Sequence, residues 1–321
     1  MNASLFRCPN CAAEVQREPN EFACPSCKNH FPIFNGVPRF VPRENYAANF
    51  GLQWNHFRRT QLDSHSGLPL SRKRFLDETG WTDSILTGKQ VLDAGCGAGR
   101  FAEIALSLGA EVVAIDYSSA VDACAANLTP NPRLTVAQAD IYALPFARES
   151  FDCIYSLGVL QHTPDVKRAL LTLIRFLKPG GLLTVDLYPR NWSRWLHPRV
   201  WLRPITTRMD VMRLFPIVER WTPRLLRVSR GVSAVPVVGP FLRRLVPVAN
   251  YEGVYPLSPS QMEEWAVLDT YDWLAPRFDQ PQSPATLRAW LEEAGLENVE
   301  VFRSHHLTGR ARKPIHEAQA A

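Results

Sequence analysis

The stretch Val91-Leu92-Asp93-Ala94-Gly95-Cys96-Gly97-Ala98-Gly99-Arg100 decides how this 321-residue chain is read. Val91 and Leu92 end a run that suits a buried parallel strand. An acid follows, then glycine at every second position, and Phe101 to Leu108 repeats apolar residues at helical spacing. The glycines therefore sit on a strand-to-helix turn. Without a Cβ, Gly95, Gly97 and Gly99 let the backbone turn tightly and let a ligand approach it. A dinucleotide-binding fold also begins with such a turn, so the turn alone does not choose between cofactors.

The surroundings narrow the choice. Glu111 to Ile115 reads as a second strand ending in Asp116, 23 residues after Asp93. An acid there can accept hydrogen bonds from both ribose hydroxyls of an adenosine. Leu134 to Ala137 is a third strand, with Asp140 beyond it to meet an adenine amino group. Phe151 to Ser156 is a fourth, and Leu177-Lys178-Pro179-Gly180-Gly181 closes a helix and opens a fifth. This series resembles the class I methyltransferases that use S-adenosylmethionine, of the bacterial type 11 kind. The resemblance runs from Gly88 to Leu187. It rests on Asp93 to Gly99, Asp116, Ala139-Asp140, Phe151-Asp152, Gly158-Val159-Leu160-Gln161-His162 and Lys178-Pro179-Gly180-Gly181. It implies an α/β, doubly wound, Rossmann-like fold with a seven-stranded sheet. It also implies cofactor contacts from Asp93, Gly95, Cys96, Gly97, Gly99, Asp116, Tyr117, Asp140, Ile141, Ser156 and Leu157. A nicotinamide-dependent oxidoreductase is disfavoured, because the turn is G-x-G-x-G and the strand series follows the methyltransferase order.

Ahead of this series stand Cys8-Pro9-Asn10-Cys11 and Cys24-Pro25-Ser26-Cys27, separated by 12 residues. Four thiolates on two tight turns suit the closed tetrahedral site of structural zinc. The segment from Leu5 to Val41 resembles the zinc-ribbon modules found beside bacterial and tRNA-modifying methyltransferases. No knuckle residue belongs to the cofactor series, so losing the metal is expected to loosen Leu5 to Val41 and spare cofactor binding. Seven cysteines, partly in C-x-x-C pairs, point to a reducing, cytoplasmic compartment. Cys96, Cys124 and Cys153 read as small packing residues. Met1 to Asn10 has no apolar core of a signal peptide, and no apolar run approaches the ~20 residues of a spanning helix.

The expected organisation is a zinc ribbon over 1–45 and a helical lead-in, or partial lid, over 46–87. The methyltransferase domain takes 88–188 and 255–310, a basic helical insertion 189–254, and a disordered tail 311–321. In the lead-in, Phe50 and Phe57 read as packing residues, while Gln53, Trp54 and Arg58 are candidate cofactor or substrate contacts. Leu70, Phe75 and Leu76 are the buried positions of a helix that Gly80 stops. Ser118 or Ser119 caps the helix to Leu128, and Thr163-Pro164-Asp165 begins the next. The insertion carries twelve arginines from Arg190 to Arg244 against Asp210 and Glu219, a local charge of 12 − 2 = +10 in a chain of net +5. It also holds Trp192, Trp195, Trp201 and Trp221, and its prolines are expected to break it into short helices. Arginine grips phosphates bidentately and tryptophan suits a membrane boundary. The insertion thus reads as a substrate lid that docks on an anionic surface, either the inner face of a membrane or a phosphate-bearing lipid-linked substrate, with Arg199, Arg203 and Arg208 as candidate contacts.

The expected chemistry is methyl transfer to a small-molecule or lipid- or sugar-linked acceptor. RNA or protein acceptors, and an inactive S-adenosylmethionine-binding module, stay as alternatives. Nucleic acid is the weaker partner, since nothing resembles an RNA-recognition motif. The Asn-Pro-Pro-Tyr-like signature of base-amino methylases is also absent after the fourth strand. His162 is the candidate general base. Tyr188 and Asp186 follow it, and Asp269 and Asp272 are candidates to face the substrate.

Overall fold

The computed structural model describes residues 3–42, 45–191 and 197–315. Four short strands come first: β1 (Gln16–Arg17), β2 (Glu21–Ala23), β3 (His30–Phe34) and β4 (Val37–Pro38), paired antiparallel in that order. Seven more form one sheet: β5 (Gln90–Ala94), β6 (Glu111–Asp116), β7 (Leu134–Gln138), β8 (Phe151–Ser156), β9 (Leu177–Leu187), β10 (Glu297–Arg303) and β11 (Leu307–Arg312). Their order is β10-β11-β9-β8-β5-β6-β7. β5 to β9 are parallel, while β11 runs antiparallel to both β9 and β10. Strand order reverses at β5 and β8, and in open α/β sheets a crevice forms there at the strands' carboxyl ends.

The helices are α1 (Ala48–His56), α2 (Asp63–Ser66), α3 (Leu70–Thr79), α4 (Asp83–Leu86), α5 (Arg100–Ser107), α6 (Ala120–Leu128), α7 (Val166–Phe176), α8 (Pro198–Thr206), α9 (Val211–Ser233), α10 (Gly239–Leu242), α11 (Pro259–Leu274) and α12 (Pro284–Glu293). Side chains alternate across the pleat, so each strand feeds two cores. Leu92, Val113 and Ile154 share one with Leu170 and Leu173 of α7 and Leu287 of α12. Val91, Val112 and Tyr155 share the other with Phe75 of α3, Ala105 of α5 and Cys124 of α6. Cys96, Cys124 and Cys153 are buried and free of disulfides, as expected of packing residues. Phe75 is fully buried as expected, Leu70 and Leu76 half so. Gly80 ends α3 with a left-handed φ of +69°.

The ribbon is tied to the large domain, and three expectations further along the chain need correction. Arg7 N–H donates to the Pro145 carbonyl at 2.9 Å, and Phe40 N–H to the Gln138 carbonyl at 2.8 Å. Arg39 pairs with Gln138 as a parallel bridge, so the ribbon covers the open edge of β7. Phe6, Phe22 and Phe40 pack with Phe146 of the large domain, and Phe6 and Phe22 are wholly buried. The prolines do not break the insertion into short pieces: α9 runs 23 residues through Pro216 and Pro223. Its buried stripe of Leu214, Phe215, Val218, Thr222 and Leu226 explains this, because packing on α11 outweighs the two lost helical bonds. The chain does not rejoin the sheet at Tyr255. α11 packs on α8 and α9, and the return comes where Gln282 N–H meets the Tyr188 carbonyl at 2.9 Å. Finally, the tail is not disordered from Ala311. Ala311 and Arg312 pair with Leu183 and Leu182 of β9, and Lys313 exchanges backbone bonds with Gly180 and Gly181. Residues 316–321, Trp192 and Trp195 lie outside the described residues.

Of the expected caps, one choice is resolved and one residue changes. Ser118 rather than Ser119 serves α6, accepting from Ala120 N–H at 3.1 Å. Asp165 rather than Thr163 caps α7, accepting from Arg168 N–H at 2.9 Å.

Candidate active site

A cavity of about 740 Å³ opens at the carboxyl ends of β5, β6 and β8. Its floor is the glycine turn. Gly95 has φ +96°, and a Cβ there would lie 2.4 Å from Val159 Cγ2. Gly97 has φ +51° and carries the Trp54 indole above it, 3.2 Å from where its Cβ would be. Backbone approach of this kind is what only glycine allows. Asp116 ends β6 with its carboxylate turned back on the turn. Its Oδ2 accepts from Gly97 N–H at 3.0 Å, and its Oδ1 accepts from Ser118 N–H at 2.8 Å and Oγ–H at 2.7 Å. Burial raises the Asp116 carboxyl above its ordinary range, against the pull of those donors. Each carboxylate oxygen retains acceptor capacity toward the cavity. Asp140 accepts from Tyr142 N–H at 2.8 Å, and burial raises it as well.

The cavity wall includes Gly95, Cys96, Gly97, Asp116, Tyr117, Asp140, Ile141 and Leu157, as the sequence suggested. It does not include Asp93, Gly99 or Ser156. Asp93 lies beneath the turn, 2% exposed, with burial pushing its carboxyl up to about 8 and the Tyr155 hydroxyl opposing that rise. A Cβ on Gly99 would meet Leu128 at 2.7 Å, so that glycine serves packing. Ser156 Oγ–H donates to the Ala94 carbonyl at 2.7 Å and ties β8 to β5.

The lead-in forms a second wall. Gln53 is wholly buried and faces the cavity, and neither polar atom of its amide has a partner among the described residues. A buried amide left so is costly unless a ligand completes it. Phe50 also lines the cavity, 5.3 Å from the His162 ring, instead of packing away from it. Phe57 does pack away, in a cluster with Phe215 and Tyr271. Arg58 is not a site residue: it donates to Asn127 Oδ1 at 3.0 Å and holds α1 to α6. Tyr46 was missed by the sequence reading. It lies over Tyr117 at 4.9 Å, and no motif marks it.

His162 sits at the far end. Its Nδ1 lies 3.0 Å from the Phe278 carbonyl, which can only accept, so Nδ1 carries the proton. Nε2 is left as a buried lone pair with no partner among the described residues, on a residue that lines the cavity. Tyr188 packs edge-on against the ring at 5.4 Å and donates to Asp272 Oδ2 at 3.2 Å. Burial holds the Tyr188 hydroxyl well above its usual range, so it orients and does not accept protons. Asp186 is not a base candidate. It is wholly buried outside the cavity, bonded to Arg74 at 2.6 Å and to Gly158 N–H. Burial would raise it, but the Arg74 guanidinium and His306 hold it below the usual range.

The insertion closes the remaining side. Tyr251, Tyr255 and Trp265 form an aromatic group, with Tyr251 and Tyr255 stacked at 5.2 Å. Asp269 accepts from Tyr251 O–H and from Trp265 Nε1–H at 3.0 Å, and burial pushes its carboxyl up to about 7. Arg100 enters from the start of α5, donating to Ser71 Oγ at 2.8 Å and Gln61 Oε1 at 2.7 Å. These aromatic residues carry no motif, and nothing in the sequence signalled them.

At the other end of the chain, Cys8, Cys11, Cys24 and Cys27 bring their four Sγ atoms within 4.8 Å of one another. Two of those separations are 3.4 and 3.5 Å. A tetrahedron of thiolates around zinc has edges of about 3.8 Å, so the set fits that ion. The two knuckles match: Ala12 and Lys28 both take positive φ and both bond back to the first cysteine's carbonyl. The zinc these thiolates would hold is structural, since all four positions are filled by protein.

A family model described as a methyltransferase domain matches residues 92–185. Among curated proteins, a ubiquinone biosynthesis O-methyltransferase of Nitrobacter winogradskyi is 35% identical over 127 residues, 37% of this chain and 46% of that protein. A protein of the same name from Pseudomonas fluorescens is 33% identical over 141 residues, 42% of this chain and 58% of that one. The chain spans about half the length of the curated relatives it matches. Among solved structures, magnesium protoporphyrin IX methyltransferase from Synechocystis with bound SAH is 16% identical. That alignment covers 84% of this chain and 96% of that one, at a TM-score of 0.45.

Proposed function

We propose that this chain is a class I S-adenosylmethionine-dependent methyltransferase that methylates a hydroxyl oxygen on an aromatic small-molecule or lipid-linked acceptor, a reading supported by the methyltransferase-domain match over residues 92–185. The observation that carries the reading is His162: Nδ1–H is fixed on the Phe278 carbonyl, and the Nε2 lone pair is buried in the cavity wall. A hydroxyl needs a base as its oxygen becomes a nucleophile, and an imidazole held by Nδ1–H on a carbonyl presents its other nitrogen for that role. The name of the relatives, O-methyltransferase, agrees with an oxygen acceptor.

When bound, the cofactor supplies a methyl group already activated on a sulfonium. Asp116 and Asp140 would hold the adenosine, through the ribose hydroxyls and the adenine amino group. The glycine turn would let the cofactor's polar end come close to the backbone, and the Gln53 amide, without a partner among the described residues, would bond it. Tyr251, Tyr255 and Trp265 offer flat apolar faces to an aromatic acceptor. His162 Nε2 takes the hydroxyl proton, while Tyr188 and Phe50 keep the ring in plane. Phe50, Trp54 and the insertion exclude water. Positioning of this kind accounts for about 7–11 kcal/mol in well-oriented systems.

The test uses methyl-labelled S-adenosylmethionine with a panel of phenols and aromatic amines. Label is expected on phenolic oxygen. His162→Gln is expected to lower kcat by about 10²–10⁴ while the cofactor Kd stays within twofold. Label on amines alone, or an unchanged kcat in His162→Gln, refutes the reading.

A further inference from the structure

Fifteen large apolar side chains are exposed among the described residues, and twelve of them lie between Trp201 and Leu245. Trp201 is 71% exposed and Val237 95%. Monomeric proteins seldom gather exposed apolar groups in this way without a use for them. The same segment carries the chain's excess of arginine. On α9, Arg213, Arg220, Arg224 and Arg227 are exposed at helical spacings that put them on one outward face. Ile217, Trp221 and Val228 border that stripe, also exposed, while Leu214, Val218 and Leu226 turn inward. None of the four arginines has an acidic partner among the described residues. By contrast, Arg230 pairs with Glu252 at 2.7 Å, and Arg203 clamps the Trp273 and Pro276 carbonyls at 2.9 and 2.7 Å. Arg203 is therefore structural and drops out of the expected docking set.

The patch reaches the cavity. Phe241 and Leu245 are 58% and 47% exposed, yet both line the cavity, as does Arg244. The mouth therefore opens within the apolar and basic surface. A nucleic acid would use the arginines and leave Val235, Val237, Val238 and Leu242 in water. A bilayer interface uses both kinds of group at once. No described helix is long and apolar enough to cross a membrane, so the contact is one of lying on the surface.

We infer that the face formed by α8, the outer side of α9 and the 235–245 segment docks on an anionic lipid surface, and that the cavity mouth faces that surface to admit a lipid-linked acceptor. The acceptor clause rests on the proposed methyl transfer; the docking clause does not.

Flotation of the full metal-loaded chain with vesicles tests it. Phosphatidylcholine mixed with phosphatidylglycerol should carry the protein up at low salt, and less of it at about 0.15 M, where the Debye length shortens to about 8 Å. Phosphatidylcholine alone should bind weakly at both. Each cation near an anionic leaflet is worth about fivefold in binding, ~1 kcal/mol. Arg220→Gln/Arg224→Gln/Arg227→Gln is thus expected to weaken binding on the order of a hundredfold. Trp221→Asp/Val237→Asp should abolish what remains at high salt. Both variants should keep the wild-type Kd for S-adenosylmethionine and the wild-type thermal melt, since none of these residues is buried or lines the cavity. No flotation at low salt, or a triple-arginine variant that floats like wild type, overturns the inference. So does a wild-type dimer that ignores vesicles and that Trp221→Asp/Val237→Asp turns into monomer, because the face then belongs to a second copy. Methyl transfer to soluble phenols without flotation would leave the proposed function standing and remove the docking.

Discussion

Stripping the zinc should weaken cofactor binding, although no cysteine knuckle approaches the cavity. The metal supplies the folding energy of a ribbon this small, about 10–16 kcal/mol in comparable peptides, so the ribbon unfolds without it. Unfolding removes the Phe40 N–H bond to the Gln138 carbonyl and the Arg39 contacts to the Gln138 amide at 3.3 Å and to Asp122. Gln138 in turn donates to the Tyr117 carbonyl at 3.0 Å, and Asn45, just past the ribbon, donates to the same carbonyl at 2.8 Å. Tyr117 lines the cavity beside Asp116. Two hydrogen bonds that order this wall are thus lost or loosened. At a net of about 1 kcal/mol each, the cofactor loses ~1–2 kcal/mol, or about 5–30-fold in Kd. Calorimetric titration of S-adenosylmethionine into metal-loaded, chelator-stripped and zinc-reloaded protein reads this directly. Metal analysis should give one zinc per chain before stripping. An unchanged Kd in protein shown to be stripped would refute the coupling and return the ribbon to the independent module that its sequence suggested.

Two further outcomes follow from single residues. Asp269 is buried with its carboxyl raised to about 7, so the folded state holds its proton more tightly than the unfolded chain does. Its contribution to stability therefore falls as pH rises from the unfolded value of ~4 to about 7, and is level above that. Asp269→Asn should flatten this decline in thermal melts across the same window, and a variant whose melts keep the wild-type pH slope would contradict the burial argument. Gly95→Ala should cost at least ~1 kcal/mol, from its positive φ and its meeting with Val159, and a melt at the wild-type temperature would show that the turn can rearrange.

The parts of the fold that were legible in sequence are those with local causes. Strand runs, the glycine turn and the C-x-x-C knuckles each declare themselves within a few residues. They placed β5 to β9 and the four thiols where the structure has them. What stayed hidden depends on long-range packing. Nothing near Pro216 and Pro223 says that a buried stripe will carry α9 through them. Nothing near Arg39 says that it meets Asp122, far along the chain. The site divides in the same way. Asp116, Asp140 and the glycines are read from their place at strand ends. His162 could be named a base candidate, but only the Phe278 carbonyl, brought by the returning chain, fixes which nitrogen is free. Asp93 and Ser156 lie in the right motif, yet their side chains point into the core, which spacing along a strand does not reveal where both faces are covered.

The central claim is that the cavity at the strand-order reversal takes S-adenosylmethionine through the acid that ends β6. The direct measurement is calorimetric titration of S-adenosylmethionine and of NADH into wild type and Asp116→Asn, a change that keeps the side chain's shape and removes its charge. The account predicts one S-adenosylmethionine per chain, no NADH, and a loss of ~1.5–3 kcal/mol in the variant, about 10–150-fold in Kd. NADH binding in its place, or equal affinity of the two proteins for S-adenosylmethionine, would contradict it.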